Sequence, residues 1–133
     1  MPVTLHNAAL LTPSILVVED EGATRHALSL LLRMNGYSTA AVSSAEEALD
    51  AFRGGPWPAF ALVDLDLPGM NGLDLISRLH ALTGDIYPIL LTAADEARVR
   101  ATLRGQQVVY MQKPVDFERL LSLLKAQSQR SAS

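Results

Sequence analysis

Cysteine is missing from the chain. That absence excludes disulfides, thiolate metal sites and cysteine nucleophiles, and it fits a reducing compartment. No apolar run approaches the ~20 residues a membrane helix needs. The opening stretch from Met1 to Pro13 lacks the basic start of a secretory signal. A cytoplasmic protein without membrane contact is the expectation. Positive charge is not in excess either. The chain sets 11 Lys and Arg against 14 Asp and Glu, a net charge of −3, which argues against a general nucleic-acid surface. Charged residues are only 19% and hydrophobic residues 49% of the sequence, so a disordered segment or polar linker is excluded as well. What remains, at 133 residues, is one domain with enough material for a real core.

What is present is an alternation. Ser14 to Val18 is a β-branched apolar run ending on Glu19-Asp20-Glu21, which reads as a buried first strand with acids at its end. From Thr24 to Asn35, Leu28, Leu31 and Leu32 share a helical face, and Gly36 supplies the stop. Tyr37 to Val42 is a weaker strand. Ser44 and Glu47 have the spacing of a capping box, and Ala45, Ala48, Leu49 and Phe52 follow as a helical stripe. After the tight connection Gly54 to Pro58, a second unbroken apolar run, Ala59 to Val63, ends on Asp64. Pro68, Gly69 and Gly72 then force a turn.

Leu75, Ile76, Leu79 and Leu82 predict a third helix. Tyr87 to Leu91 predicts a fourth strand ending on Thr92, and Ala93 to Arg104 a fourth helix. Gln107 to Met111 reads as a fifth strand running toward Lys113-Pro114. Asp116 can cap a last helix carrying Phe117, Leu120, Leu121 and Leu124 on one face, with a polar, frayed end from Gln127. The expected division is a tail over 1–13, a domain over 14–127 and a tail over 128–133. Strict strand–helix alternation implies an α/β fold: a doubly wound, five-stranded parallel sheet with helices on both faces. Right-handed crossovers favour the flavodoxin-like strand order 2-1-3-4-5.

In such a sheet all C-terminal strand ends lie on one edge, the ligand-binding edge of open α/β folds. The first strand brings Glu19 and Asp20 there, the third Asp64, the fourth Thr92, and the fifth leads to Lys113. Each residue has a plainer reading. Glu19-Asp20-Glu21 resembles the acidic first turn of a helix, Asp66 a cap or loop acid, Thr92 a strand-end hydroxyl, Lys113 a surface lysine and Tyr110 a packing residue. Independent strand ends carrying complementary chemistry outweigh those readings. Carboxylates gathered in one place repel unless a cation joins them, and hard oxygen ligands suit Mg²⁺. A lysine and a hydroxyl beside them suit phosphoryl oxygens. The set points to phosphoryl transfer onto a carboxylate. His6, His26 and His80 lack metal-ligand spacing and read as structural or surface residues.

These residues resemble a family, the receiver domain of two-component response regulators, in its chemotaxis-regulator-like, single-domain form. The likeness rests on Val17-Val18-Glu19-Asp20-Glu21, Asp64-Leu65-Asp66-Leu67-Pro68-Gly69-Met70-Asn71-Gly72, Leu91-Thr92-Ala93 and Lys113-Pro114, in that order. It implies that Asp64 accepts a phosphoryl group from a histidine kinase or phosphotransfer protein. It implies that Glu19, Asp20, Asp64 and the backbone carbonyl of Asp66 hold Mg²⁺ or Mn²⁺, and that Lys113, joined by a cis bond to Pro114, pairs with a phosphoryl oxygen. Thr92 and Tyr110 would act as the switch. An output protein, or a second copy, would bind the face made by the fourth helix, fifth strand and fifth helix.

Three departures stand out. The first acid is Glu19 rather than the commoner Asp, long enough to reach a metal through a water. The segment from Thr92 to Lys113 is about one residue short, with Gly105-Gln106-Gln107 where Gly-Ala-Asp is usual. Asp66 and Ala94 stand where the family tunes dephosphorylation, and Ala94 has no group to orient a water.

Two other functions compete. Asp64-Leu65-Asp66 also resembles the Asp-x-Asp of haloacid-dehalogenase-type Mg²⁺-dependent phosphatases, although there it lies on the first strand. A receiver fold serving only as a phosphorylation-independent binding module is the other. The receiver reading implies no turnover enzyme, only self-phosphorylation from a phosphodonor and slow autodephosphorylation.

Overall fold

The computed structural model describes residues 14–132, so the segment set apart as residues 1–13 lies outside the described residues. β1 (Ile15–Val18) and β3 (Phe60–Asp64) bury every one of their side chains. Side chains alternate along a strand, so such burial requires cover on both faces. Leu16, Val18, Ala61 and Val63 point into one core, and Ile15, Val17, Phe60 and Leu62 into another. This is the physical origin of the unbroken apolar runs. With β2 (Thr39–Val42), β4 (Tyr87–Thr92) and β5 (Val109–Gln112), they form one parallel sheet in the order β2-β1-β3-β4-β5. The doubly wound α/β fold and its expected strand order are what the structure has.

The helices are α1 (Gly22–Met34), α2 (Ala45–Ala51), α3 (Gly72–Leu82), α4 (Glu96–Leu103) and α5 (Phe117–Ala132). Leu28 and Leu32 of α1 and Leu120 and Leu124 of α5 close one core. Ala45 and Ala48 of α2, Leu75, Ile76 and Leu79 of α3, and Val99 and Leu103 of α4 close the other.

Local chemistry moves several boundaries. Glu21 is the N-cap of α1, its carboxylate accepting from the N–H groups of Ala23 and Thr24, so the helix starts two residues before Thr24. Ser44 caps α2 as expected, but the Glu47 carboxylate reaches back to Ser43, not to the Ser44 backbone. That leaves half of the capping box. The Thr92 hydroxyl and the Asp95 cap hold residues 93–95 outside the helix, so α4 begins at Glu96 rather than Ala93. Arg104, at φ 50, and Gly105, at φ 83, end it. The polar segment from Gln127, expected to fray, continues α5 to Ala132. Leu31 and Leu82, placed on buried stripes by their spacing, are 39% and 60% exposed.

Candidate functional site

Parallel register decides what meets what. Val18 of β1 pairs with Val63 of β3, so one step further the strands carry Glu19 and Asp64. On the other side of β3, Asp64 pairs with Leu91, and one step on Thr92 pairs with Gln112, which precedes Lys113. The edge therefore collects Glu19, Asp20, Asp64, Thr92 and Lys113. Carboxylate oxygens of Glu19, Asp20 and Asp64 all lie within 4.8 Å of one another. Glu19 and Asp64 are buried and Asp20 is exposed.

Lys113 joins this acidic group. Its Nζ donates to Glu19 Oε1 at 2.5 Å and to Asp64 Oδ2 at 3.2 Å. Glu19 Oε2 accepts from the Glu21 N–H at 3.1 Å, and Asp64 Oδ1 from the Asp66 N–H at 3.0 Å. Burial, working against the bonds from Lys113 and the Glu21 N–H and aided by the neighbouring Asp64, pushes the Glu19 carboxyl above its ordinary pKa. Burial pulls the Lys113 ammonium down, but Glu19 and Asp64 more than offset this and hold it above the usual lysine value. Lys113 thus stays charged and serves as the counter-ion of two buried carboxylates. The Lys113–Pro114 peptide bond is cis, in agreement with the sequence reading.

This donor set fits a divalent cation: hard carboxylate oxygens converge at an edge open to solvent through Asp20. An expected outcome follows for Lys113→Ala. Without the ammonium, Glu19 and Asp64 lose their shared partner, which costs ~3–5 kcal/mol when a charge is fully buried. Lys113 keeps 23% of its side-chain exposure, so about 1–3 kcal/mol is expected here. In chelator the variant should melt several degrees below wild type. Adding Mg²⁺ should shrink the gap, because the ion replaces the missing charge. A gap that metal leaves untouched would show that the ammonium does not neutralise this pair.

The other predicted residues fall around this centre. Thr92 is fully buried, and its Oγ1 accepts from the Ala94 N–H at 3.0 Å. Tyr110 lies on β5 opposite Leu90, half-buried against the core that includes α4. The Asp66 side chain does not join the acidic group. It faces the Arg98 guanidinium of α4 at 3.4 Å across exposed surface, a pair of small energetic worth.

Sequence reasoning missed the residues that hold the loops. Arg25 Nη1 donates to the carbonyls of Glu19 and Asp20 at 2.9 and 3.3 Å, clamping the backbone of the acid pair. Its one signal was a cation in the first turn of a helix, where the dipole disfavours it. Glu46 of α2 accepts from the Met70 N–H at 3.2 Å and so ties down the turn after Asp64. The Gln112 amide Nε2 donates to the Ala94 carbonyl at 3.0 Å. Gly72 packs against the tip of β3: a Cβ there would lie 2.2 Å from the Asp64 carbonyl oxygen.

Comparison with known proteins points the same way. A family model described as the response regulator receiver domain matches residues 15–125. The two-component response regulator PhoP of Pseudomonas aeruginosa is 40% identical over 122 residues, which covers 89% of this chain and 52% of PhoP. The sensory/regulatory protein RpfC of Xanthomonas campestris pv. campestris is 34% identical over 128 residues, which covers 92% of this chain and 18% of RpfC. The chain thus spans about half or less of these relatives. Among solved structures, a CheY-like receiver domain protein from Methanospirillum hungatei superposes with a TM-score of 0.76 at 27% identity, covering 90% of this chain and 97% of that one. The response regulator TrrA from Thermotoga maritima, in complex with Mg²⁺-BeF, does so at 0.72 and 30%, covering 84% of this chain and 96% of its own. With the acid group, the lysine and the strand order all in place, the chain belongs to the response regulator receiver domain family.

Proposed function

We propose that Asp64 accepts a phosphoryl group from the phosphohistidine of a histidine kinase or phosphotransfer protein, and that the resulting acyl phosphate switches partner binding. The observation that carries this reading is the meeting of Asp64 with Glu19, Asp20 and Lys113 at the end of the central strand. In the transfer, an Asp64 oxygen forms a bond to phosphorus as the donor's P–N bond breaks, and the departing imidazole takes up a proton. Lys113, held beside Asp64 by the Glu19 carboxylate, moves onto a phosphoryl oxygen. Glu19, Asp20, Asp64 and the Asp66 backbone carbonyl would hold Mg²⁺ or Mn²⁺, Glu19 directly or through water. The bound ion supplies neutralisation of the charge gathered on carboxylate and phosphoryl oxygens.

Thr92 is assigned to the phosphoryl group and Tyr110 to the face of α4, β5 and α5, where an output protein or second copy would bind. A bistable element of this kind is what a phosphorylation switch requires. Receiver domains are in general phosphoacceptors, and we assign this one no turnover beyond its own phosphorylation and dephosphorylation. No described helix is long and apolar enough to cross a membrane, which supports a cytoplasmic protein, and the acidic balance of the chain supports one without direct nucleic-acid contact. The phosphatase alternative has its Asp-x-Asp on the first strand, whereas Asp64-Leu65-Asp66 begins at the end of the third. A phosphodonor and Mg²⁺ should add one phosphoryl group per chain and then stop. Continued turnover of a phosphomonoester would defeat the proposal.

The lifetime of that group is the next expected outcome. Ala94 is 7% exposed and offers only a methyl, and Asp66 is turned toward Arg98, so neither side chain is set to orient an attacking water. Decay after phosphodonor removal should take minutes or longer; a half-life of seconds would contradict this assignment.

A further inference from the structure

Gln112 is the last residue of β5, opposite Thr92 in the register and next to Lys113. Its side chain does not point idly into solvent. The amide Nε2 donates to the Ala94 carbonyl at 3.0 Å, while the Ala94 N–H donates to Thr92 Oγ1 at 3.0 Å. The connection between β4 and α4 is therefore gripped at one residue from two sides. One grip comes from the hydroxyl assigned to the phosphoryl group. The other comes from the strand that forms part of the proposed output face.

Both peptide groups of Ala94 flank one Cα and cannot move independently. Ala94 is nearly buried, so a peptide group released there does not simply exchange its partner for water. Suppose Thr92 turns its hydroxyl toward a phosphoryl oxygen on Asp64. If the Ala94 N–H follows, the Ala94 carbonyl is drawn off the Gln112 amide. If it stays behind, the N–H is left unpaired.

We infer that Gln112 is a positioning residue that holds the β4–α4 connection in its unphosphorylated setting and so sets how readily the site responds to a phosphoryl group. The inference rests on the phosphoacceptor reading of Asp64. The Gln112 amide touches none of the three clustered carboxylates, so its removal should loosen the resting arrangement, favour binding of a phosphoryl group and leave metal binding alone.

Beryllofluoride in the presence of Mg²⁺ is the probe, titrated against wild type, Gln112→Met and Gln112→Glu and followed through backbone amide resonances. Mg²⁺ alone is titrated in parallel. Met keeps the length and loses the donor; Glu sets an acceptor against an acceptor. A neutral hydrogen bond of ordinary strength predicts that Gln112→Met binds beryllofluoride about three- to tenfold more tightly. Gln112→Glu should do so at least as strongly, with Mg²⁺ affinity unchanged in both. The Ala94 amide should exchange faster in both variants without any ligand. A merely structural role would move Mg²⁺ affinity together with beryllofluoride, and that pattern overturns the inference. So do equal beryllofluoride affinities in all three proteins, or weaker binding in the variants. A wild-type protein that ignores beryllofluoride overturns the phosphoacceptor reading instead. Should Met on this exposed strand promote association, Gln112→Asn, which keeps the amide but falls short of Ala94, gives the same readout.

Discussion

Asp64→Asn should abolish phosphoryl acceptance and leave the protein folded. The carboxamide nearly matches the carboxylate in shape, so its oxygen can still accept the Asp66 N–H that Asp64 Oδ1 accepts at 3.0 Å. Lys113 loses one partner but keeps Glu19. What disappears is the nucleophile, since an amide oxygen does not displace a phosphoryl group at a useful rate. One of the three clustered negative charges goes with it. Glu19, whose carboxyl is raised first by burial and in smaller part by Asp64, gains a less hostile neighbour, so metal-free stability should hold or rise slightly. Intact mass after phosphodonor treatment, paired with a thermal melt, checks both halves. Labelling of the variant at the wild-type level would move the acceptor to another residue. Loss of labelling together with unfolding would leave the acceptor role to be read from Asp64→Glu, which retains a carboxylate but displaces it.

Gly72→Ala is the second large effect, and residue preferences alone give the wrong sign for it. Gly72 opens α3, and alanine in a helix is favoured over glycine by ~1 kcal/mol. Its φ is not positive, so no conformational freedom is needed. Yet the added Cβ would meet the Asp64 carbonyl oxygen at 2.2 Å, the Asp64 carbonyl carbon at 2.9 Å and Leu65 Cα at 3.0 Å. Each of these is backbone at the tip of a fully buried strand, and none can swing away. Either α3 or the end of β3 must shift. Overpacking of this kind costs about 1–3 kcal/mol or more, which lowers the melting temperature by several degrees. The proposed acceptor sits on the residue being pushed, and a 1 Å misplacement can cost ~100-fold in rate. Labelling from a phosphodonor should slow by at least ~10-fold. A variant that melts and labels like wild type would show that the helix start is free to retreat.

The fold was legible because buried parallel strands write themselves as continuous apolar runs, and Ile15–Val18 and Phe60–Val63 are such runs. The site was legible because a parallel sheet sends every strand's C-terminal end to one edge, so Glu19, Asp64, Thr92 and Lys113 could be gathered without knowing a single distance. Spacing was less reliable at helix margins. Leu31 and Leu82 fit their stripes by number but are exposed. Val99 of α4, by contrast, is fully buried. Leu123 of α5 is partly buried against the α1–α5 core. Arg25, Glu46 and Gln112 were missed for another reason. Each acts on a backbone carbonyl or N–H outside its own helix or strand, and backbone groups leave no mark in a sequence.

The lysine lying across Glu19 and Asp64 has a consequence for how ligands arrive. An entering cation would have to compete with a charge that is already seated, so metal binding to the resting protein would be an exchange, weakened accordingly. On the proposed reading, a phosphoryl group on Asp64 would offer that same lysine a new anion and release the carboxylates to the cation. Each guest thereby lowers the cost of admitting the other. Linkage makes this help mutual and equal in free energy: if Mg²⁺ steadies the phosphorylated state, phosphorylation must tighten Mg²⁺ by the same factor. On that reading the site would behave as a coincidence detector for two ligands, with Lys113 as the element that adds them.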